Sequence, residues 1–128
     1  TIEQPVRIED ALFQMKSGGK SVLLECISNL TANEMFTGTQ IRPKEAVTAC
    51  ILRGVSQLMR ETAHLVVVSG NVFEDGIVYN RTTMDYMYAM GEINRQLAAC
   101  ADRVVEVVAG IPVPVRGVNP EAVPDVPF

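Results

Sequence analysis

Histidine and cysteine are scarce in this sequence, and their scarcity excludes whole classes of chemistry. His64 is the only histidine, and the three cysteines, Cys26, Cys50 and Cys100, are widely spaced, with no CxxC pair. A zinc site or a disulfide framework needs denser clustering. Reduced, buried thiols in a cytoplasmic protein are the plain expectation. Basic residues are outnumbered, 11 Lys and Arg against 15 Asp and Glu, for a net charge of −4. That balance argues against a broad electrostatic grip on nucleic acid. No apolar run reaches the roughly 18–20 residues of a membrane span. Thr1–Arg7 has neither the basic start nor the apolar stretch of a signal peptide. What the sequence does have is aliphatic substance, 48% hydrophobic residues and a mean hydropathy of +0.17 over 128 residues. That supplies the core of one domain and is too much for a disordered acidic tail.

The apolar positions follow two periods in turn. Ile8, Ala11, Leu12 and Met15 fall at helical spacing, ended by Gly18-Gly19. Ser21–Cys26 is a nearly continuous apolar run, as in strands buried on both faces of a parallel sheet. Helical periodicity returns over Ile27–Phe36, Gly38 and Pro43 mark a loop, and a long helix is predicted from Lys44 to about Thr62. Val47, Ile51, Val55 and Leu58 lie along one face of it. Leu65–Val68 reads as a second buried strand, closed by Ser69-Gly70-Asn71. A loop through Glu74-Asp75-Gly76 leads to a helix near Thr82–Ala101, and Val104–Val108 reads as a third strand, ended by Gly110. Pro112, Pro114, Pro120, Pro124 and Pro127 predict an extended tail. Strands alternating with helices predict an α/β protein in three layers, a mostly parallel sheet with flanking helices. The first helix has no strand before it, so the architecture reads as lacking its opening strand.

In open α/β sheets, ligands bind at the carboxyl ends of the strands. That rule singles out Glu25, Ser69-Gly70-Asn71 and Gly110-Ile111-Pro112. Glu25 is the sharpest, an acid where a core would take another aliphatic. An acid there holds a magnesium ion or a nucleotide hydroxyl in nucleotide-binding folds, or else is a solvated strand-end carboxylate. Gly18-Gly19-Lys20-Ser21 ends like a phosphate loop, but Gln14 stands where the first glycine belongs. The segment also follows a helix and opens a strand, so it reads as a turn. Met84, Tyr86, Met87, Tyr88 and Met90 read as core or subunit packing, with a flat hydrophobic ligand as the alternative. Glu74 and Asp75 read as a solvated turn rather than a metal site. His64, before a strand with no nucleophile in sequence reach, gives no reason to be called catalytic.

Several segments together resemble one family, the bifunctional adenosylcobinamide kinase / adenosylcobinamide-phosphate guanylyltransferases of cobalamin biosynthesis. Thr1-Ile2-Glu3-Gln4-Pro5 is similar to its T-x-E-x-P segment, and Val22–Leu30 to its L-L-[DE]-C strand motif followed by an asparagine, here Asn29. Gly76-Ile77-Val78 matches a G-I-V loop. Gly91–Ala98 with Ala101-Asp102-Arg103-Val104 is similar to G-x-x-N-x-x-L-A…A-D-x-V, and Gly110-Ile111-Pro112 matches the closing G-x-P. The resemblance implies a P-loop NTPase-like core, with GTP or ATP and Mg as substrates alongside adenosylcobinamide. It implies that Glu3 and Glu25 contact GTP, and that the protein is a homo-oligomer, by resemblance a trimer. The family phosphorylates the aminopropanol hydroxyl of adenosylcobinamide, then attaches GMP through a covalent histidine, giving adenosyl-GDP-cobinamide.

The sequence also departs from that pattern. The family's first strand, P-loop and GMP-accepting histidine would precede Thr1, and His64, at a later strand, does not substitute for that histidine. The family's T-N-E is Ser69-Gly70-Asn71 here, and its F-R-D is Tyr86-Met87-Tyr88. The expectation is a fragment or divergent member, with residues 1–117 as an α/β domain incomplete at its start and 118–128 as a Pro-rich tail. No catalytic or metal-ligating residue is assigned. The alternative, from a different class, is a catalytically inactive α/β binding or interaction subunit.

Overall fold

The computed structural model describes residues 1–15, 19–70 and 80–117. Gly18, Asn71, Glu74, Asp75, Gly76-Ile77-Val78 and the 118–128 tail lie outside the described residues. The elements run in the order 3₁₀ helix Ile8–Gln14, β1 Ser21–Leu24, α1 Ile27–Phe36, α2 Lys44–Glu61, β2 His64–Val67, α3 Arg81–Cys100, β3 Val104–Val108 and β4 Ile111–Arg116. The chain divides into two compact units, Thr1–Asn94 and Arg95–Phe128.

In the first unit β1 and β2 pair in parallel, Ser21 opposite His64 through to Leu24 opposite Val67. Parallel neighbours need a crossover of a dozen residues or more, which α1 and α2 provide. α2 is entered from Pro43, whose carbonyl accepts from the Val47 amide at 3.1 Å, and carries Glu45 in its first turn and Arg60 in its last, each matching the helix dipole. It ends where the Thr62 hydroxyl donates to the Leu58 carbonyl at 2.7 Å. The Ala63 amide then donates to the Lys20 carbonyl at 2.9 Å, which sets the start of β2 beside the start of β1.

Val47, Ile51, Val55 and Leu58 are buried along α2, as their spacing predicts. They share the core with Leu24, with Ile27, Leu30 and Met35 of α1, and with Ala89, Met90 and Ile93 of α3. Each of the larger side chains contributes about 1.5–3 kcal/mol by leaving water. Every buried apolar side chain among the described residues belongs to this unit. The strands, however, are not buried on both faces. Leu24 is sunk, while Leu23 is 61% and Val66 59% exposed. Among the described residues, helices cover one face of the pair, and Leu23 and Val66 point to the other. The opening helix is a 3₁₀ turn that stops at Gln14, short of Met15.

The second unit departs most from the reading of the sequence. Val104–Val108 is a strand, but its partner is β4, antiparallel, and not the parallel pair. The cause is the two-residue turn between them. Ala109 and Gly110 both have positive φ, 50° and 79°, the conformation of the tight turns that send a strand back on itself. Pro112 and Pro114 do not prevent pairing, because they sit opposite Val107 and Val105. Next to such a turn, opposed pairs alternately exchange two hydrogen bonds and none, so both prolines fall where no N–H is required. Arg116 at the end of β4 donates to the carbonyls of Ala98 and Ala99, at 2.9 and 2.6 Å, capping the last turn of α3.

Candidate functional site

The two parallel strands stop together, and the residues beyond them form the strand-end site. The Val68 amide donates to the Leu24 carbonyl at 3.0 Å, and the Ile27 amide donates to the Val68 carbonyl at 2.9 Å. Glu25, between β1 and α1, is exposed and makes no hydrogen bond or ion pair among the described residues. Its peptide bond to Cys26 is cis. A free carboxylate at this point is available to a cation or to a ligand hydroxyl.

Beside it, Ser69 and Gly70 leave β2 under polar restraint. The Gly70 amide donates to Ser28 Oγ at 3.1 Å, and Asn94 Nδ2 donates to the Gly70 carbonyl at 3.0 Å. Ser69 Oγ donates to Asn94 Oδ1 at 2.5 Å. Tyr86 on α3 donates its hydroxyl to the Ser28 carbonyl at 3.1 Å. Burial, with Cys26 nearby as the next cause, pushes the Tyr86 phenol above its ordinary value. A Cβ at position 70 would lie 2.7 Å from Ser28 Oγ, so a side chain there would turn the Ser28 hydroxyl away and lose its bond to the Gly70 amide. Ser28, Tyr86 and Asn94 were within motifs noted in the sequence but carried no assigned contact. The signal for Asn94 was its place in the G-x-x-N spacing, one helical turn from Gly91.

Glu3 is placed elsewhere, exposed in the extended segment before the 3₁₀ helix, and no hydrogen bond or ion pair joins it to Glu25. That segment is anchored where the Arg7 amide donates to Glu34 Oε1 at 2.5 Å. Glu34, 3% exposed, also accepts from Arg42 Nη1 at 2.5 Å and from Cys50 Sγ at 3.6 Å. Burial first, and then the charge of Glu34, push the Cys50 thiol above its ordinary value. This junction was not singled out from the sequence, where Glu34 is one acid in an amphipathic helix.

The remaining candidates separate cleanly. Lys20 and Ser21 are exposed, the latter opening β1, so Lys20 does not precede a helix as in a phosphate loop. His64 is exposed at the first position of β2. Met90 is core, while Met84 and Tyr88 are half or more exposed. Lys44 lies 4.7 Å over the Tyr88 ring and 3.5 Å from Asp85. Of the three free thiols only Cys50 is buried; Cys26 is half-buried and Cys100 exposed, because it ends α3 beyond the core. Among the described residues, no three His, Cys, Asp or Glu side chains are grouped to hold a metal ion. No helix among them is long and apolar enough to cross a membrane.

The model of the family described as cobinamide kinase / cobinamide phosphate guanyltransferase matches residues 1–115. The chain belongs to this family. The bifunctional adenosylcobalamin biosynthesis protein CobU of Escherichia coli is 27% identical over 125 residues, 91% of this chain and 69% of that protein. The protein of the same name from Salmonella typhimurium is 30% identical over 105 residues, 75% of this chain and 58% of that protein. The chain thus corresponds to part of each relative, at the identity expected of a divergent member of the cobinamide kinase / cobinamide phosphate guanyltransferase family. Within that family's matched span, the strand motif around Glu25 and the G-x-x-N signature around Asn94 meet in space at Gly70.

Proposed function

We propose that this chain takes part in adenosylcobalamin biosynthesis as a member of a kinase and guanyltransferase that acts on cobinamide. In this reading GTP, or ATP, with Mg binds at the carboxyl ends of β1 and β2, and Glu25 contacts the nucleotide. The observation that carries it is the free, exposed carboxylate of Glu25 beside a Gly70 backbone held by Ser28 and Asn94. Ligand sites of α/β sheets occupy this position. Glu3, by the same resemblance, contacts GTP from the extended N-terminal segment. Adenosylcobinamide is the co-substrate, and the setting is a cytoplasmic homo-oligomer, by resemblance a trimer. The reading assigns nucleotide contacts to these residues and no bond-making step to His64.

The test is calorimetry of GTP with Mg on the full-length protein. Glu25→Gln keeps the shape and removes the charge, and it should weaken GTP binding by about tenfold or more, the worth of one charge-assisted contact. Unchanged affinity with an unchanged circular dichroism spectrum removes Glu25 from the site.

A second reading, an inactive interaction subunit, has one observation in its favour. The Met–Tyr stretch that replaces F-R-D leaves Met84 50% and Tyr88 55% exposed, a soft surface suited to a partner. Absence of GTP binding by the wild-type full-length protein would favour it.

A further inference from the structure

We infer that Asn94 is a positioning residue of the strand-end site, gripping Ser69 and Gly70 with both ends of its carboxamide and so setting how the chain leaves β2 beside Glu25. The inference rests on the reading that nucleotide binds at these strand ends. Gly70 lies beyond the last residue of the parallel ladder, where a connecting segment ordinarily moves. Here its backbone is held from two directions. Its amide donates to Ser28 on α1, and its carbonyl accepts from Asn94 on α3.

The orientation of the carboxamide is defined by its neighbours. Turned over, Asn94 would set its oxygen against the Gly70 carbonyl, acceptor facing acceptor. Tyr86, two helical turns before Asn94 on α3, holds the Ser28 carbonyl, so the same helix steadies both sides of the grip. Ser69 is exposed, and a hydrogen bond between exposed polar groups adds little to folding. Such a bond matters more for direction than for stability. A binding site needs its backbone held to about half an ångström.

The test compares Asn94→Asp, Ser69→Ala and Ser28→Ala with wild type and Glu25→Gln, all in the full-length protein. Asn94→Asp keeps the outline of the side chain but sets a carboxylate oxygen against the Gly70 carbonyl. Two quantities are read, hydrogen exchange at the Gly70 amide and calorimetric affinity for GTP with Mg. Asn94→Asp should speed Gly70 exchange about tenfold and lower GTP affinity about fivefold or more, with Asn94→Gln, which keeps donor and acceptor, recovering part of both. Ser69→Ala should lower affinity with no change in melting temperature, a result that a purely structural role would not produce. If Asn94→Asp does not fold, Ser69→Ala and Ser28→Ala decide.

Unaltered GTP affinity in the Asn94 and Ser69 variants, with Glu25→Gln weakened, overturns the inference and leaves the nucleotide reading standing. Weakening in both the Asn94 and Ser69 variants, with Glu25→Gln unaltered, supports the inference and removes Glu25. A wild-type full-length protein that takes up no GTP overturns both, and slow Gly70 exchange would then show the grip to be structural only.

Discussion

Two glutamates mark the two ends of α1, and the molecule treats them in opposite ways. Glu34, in its last turn, is buried and accepts from the Arg7 amide, Arg42 and Cys50. Glu25, just before its first turn, is exposed and accepts from nothing described. An acid near a helix C-terminus is opposed by the dipole, so Glu34 needs the Arg42 guanidinium to be tolerated there. An acid before a helix N-terminus is favoured by it and has no need of a partner. Full satisfaction makes Glu34 a structural rivet that joins the N-terminal segment, α1, α2 and the loop between them. Lack of satisfaction leaves Glu25 available to a ligand. Burial and partners, more than residue type, separate the acid that holds the fold from the acid available for binding.

The contrast breaks most visibly at Glu34. Glu34→Ala leaves the Arg7 amide without its acceptor, releases the part-exposed Arg42 guanidinium to solvent and opens a void, and should cost about 2 kcal/mol. Urea denaturation checks this through a lowered midpoint at constant slope. A loss below about 1 kcal/mol would show that Glu34 is not the rivet described.

A smaller effect concerns the thiol in the same junction. The folded chain holds the Cys50 proton more tightly than the unfolded chain does, because burial and Glu34 raise its pKa above 9.0. Between the two values the unfolded state binds fewer protons, so stability falls as pH rises. This contribution is whole below pH 9.0 and is lost above it, with a slope of at most about 1.4 kcal/mol per pH unit. Cys50→Ala, followed by urea melts on both sides of pH 9.0, should flatten that limb; an identical slope would refute the raised thiol. The smallest effect belongs to the other acid. Glu25→Gln should change folding stability by less than about 0.5 kcal/mol in the same melts, whatever it does to nucleotide. A larger loss would mean that Glu25 has a structural partner after all.

Much of the fold was legible because its signals are local. Ile27–Phe36, the long helix from Lys44 and the strand Val104–Val108 appear where periodicity placed them. Glu25 was legible as a strand-end acid for the same reason, since one break in a short apolar run is visible without any partner. The rest was not. Val104–Val108 reads as the third strand of one mostly parallel sheet, and that it pairs antiparallel with β4 instead was not legible, because an apolar run does not declare its neighbour. Pro112 and Pro114 read as extended, which β4 is, but without a partner, because their fit depends on register with Val107 and Val105. Glu34 and Asn94 look ordinary on their helices, and their partners Arg7, Ser69 and Gly70 lie 24 to 27 residues away in sequence.

The sequence by itself determined the alternation of helices and strands, the α2 face that packs the core, and the family to which the chain belongs. These follow from near-neighbour spacing and from motifs read in order. Only the tertiary structure decided that Glu34 is spent inside while Glu25 is left free, that β3 turns back on β4, and that Asn94 reaches Gly70. Each of those depends on which distant groups meet, and a hydrogen bond or a buried charge pair has no energy until both partners are in place.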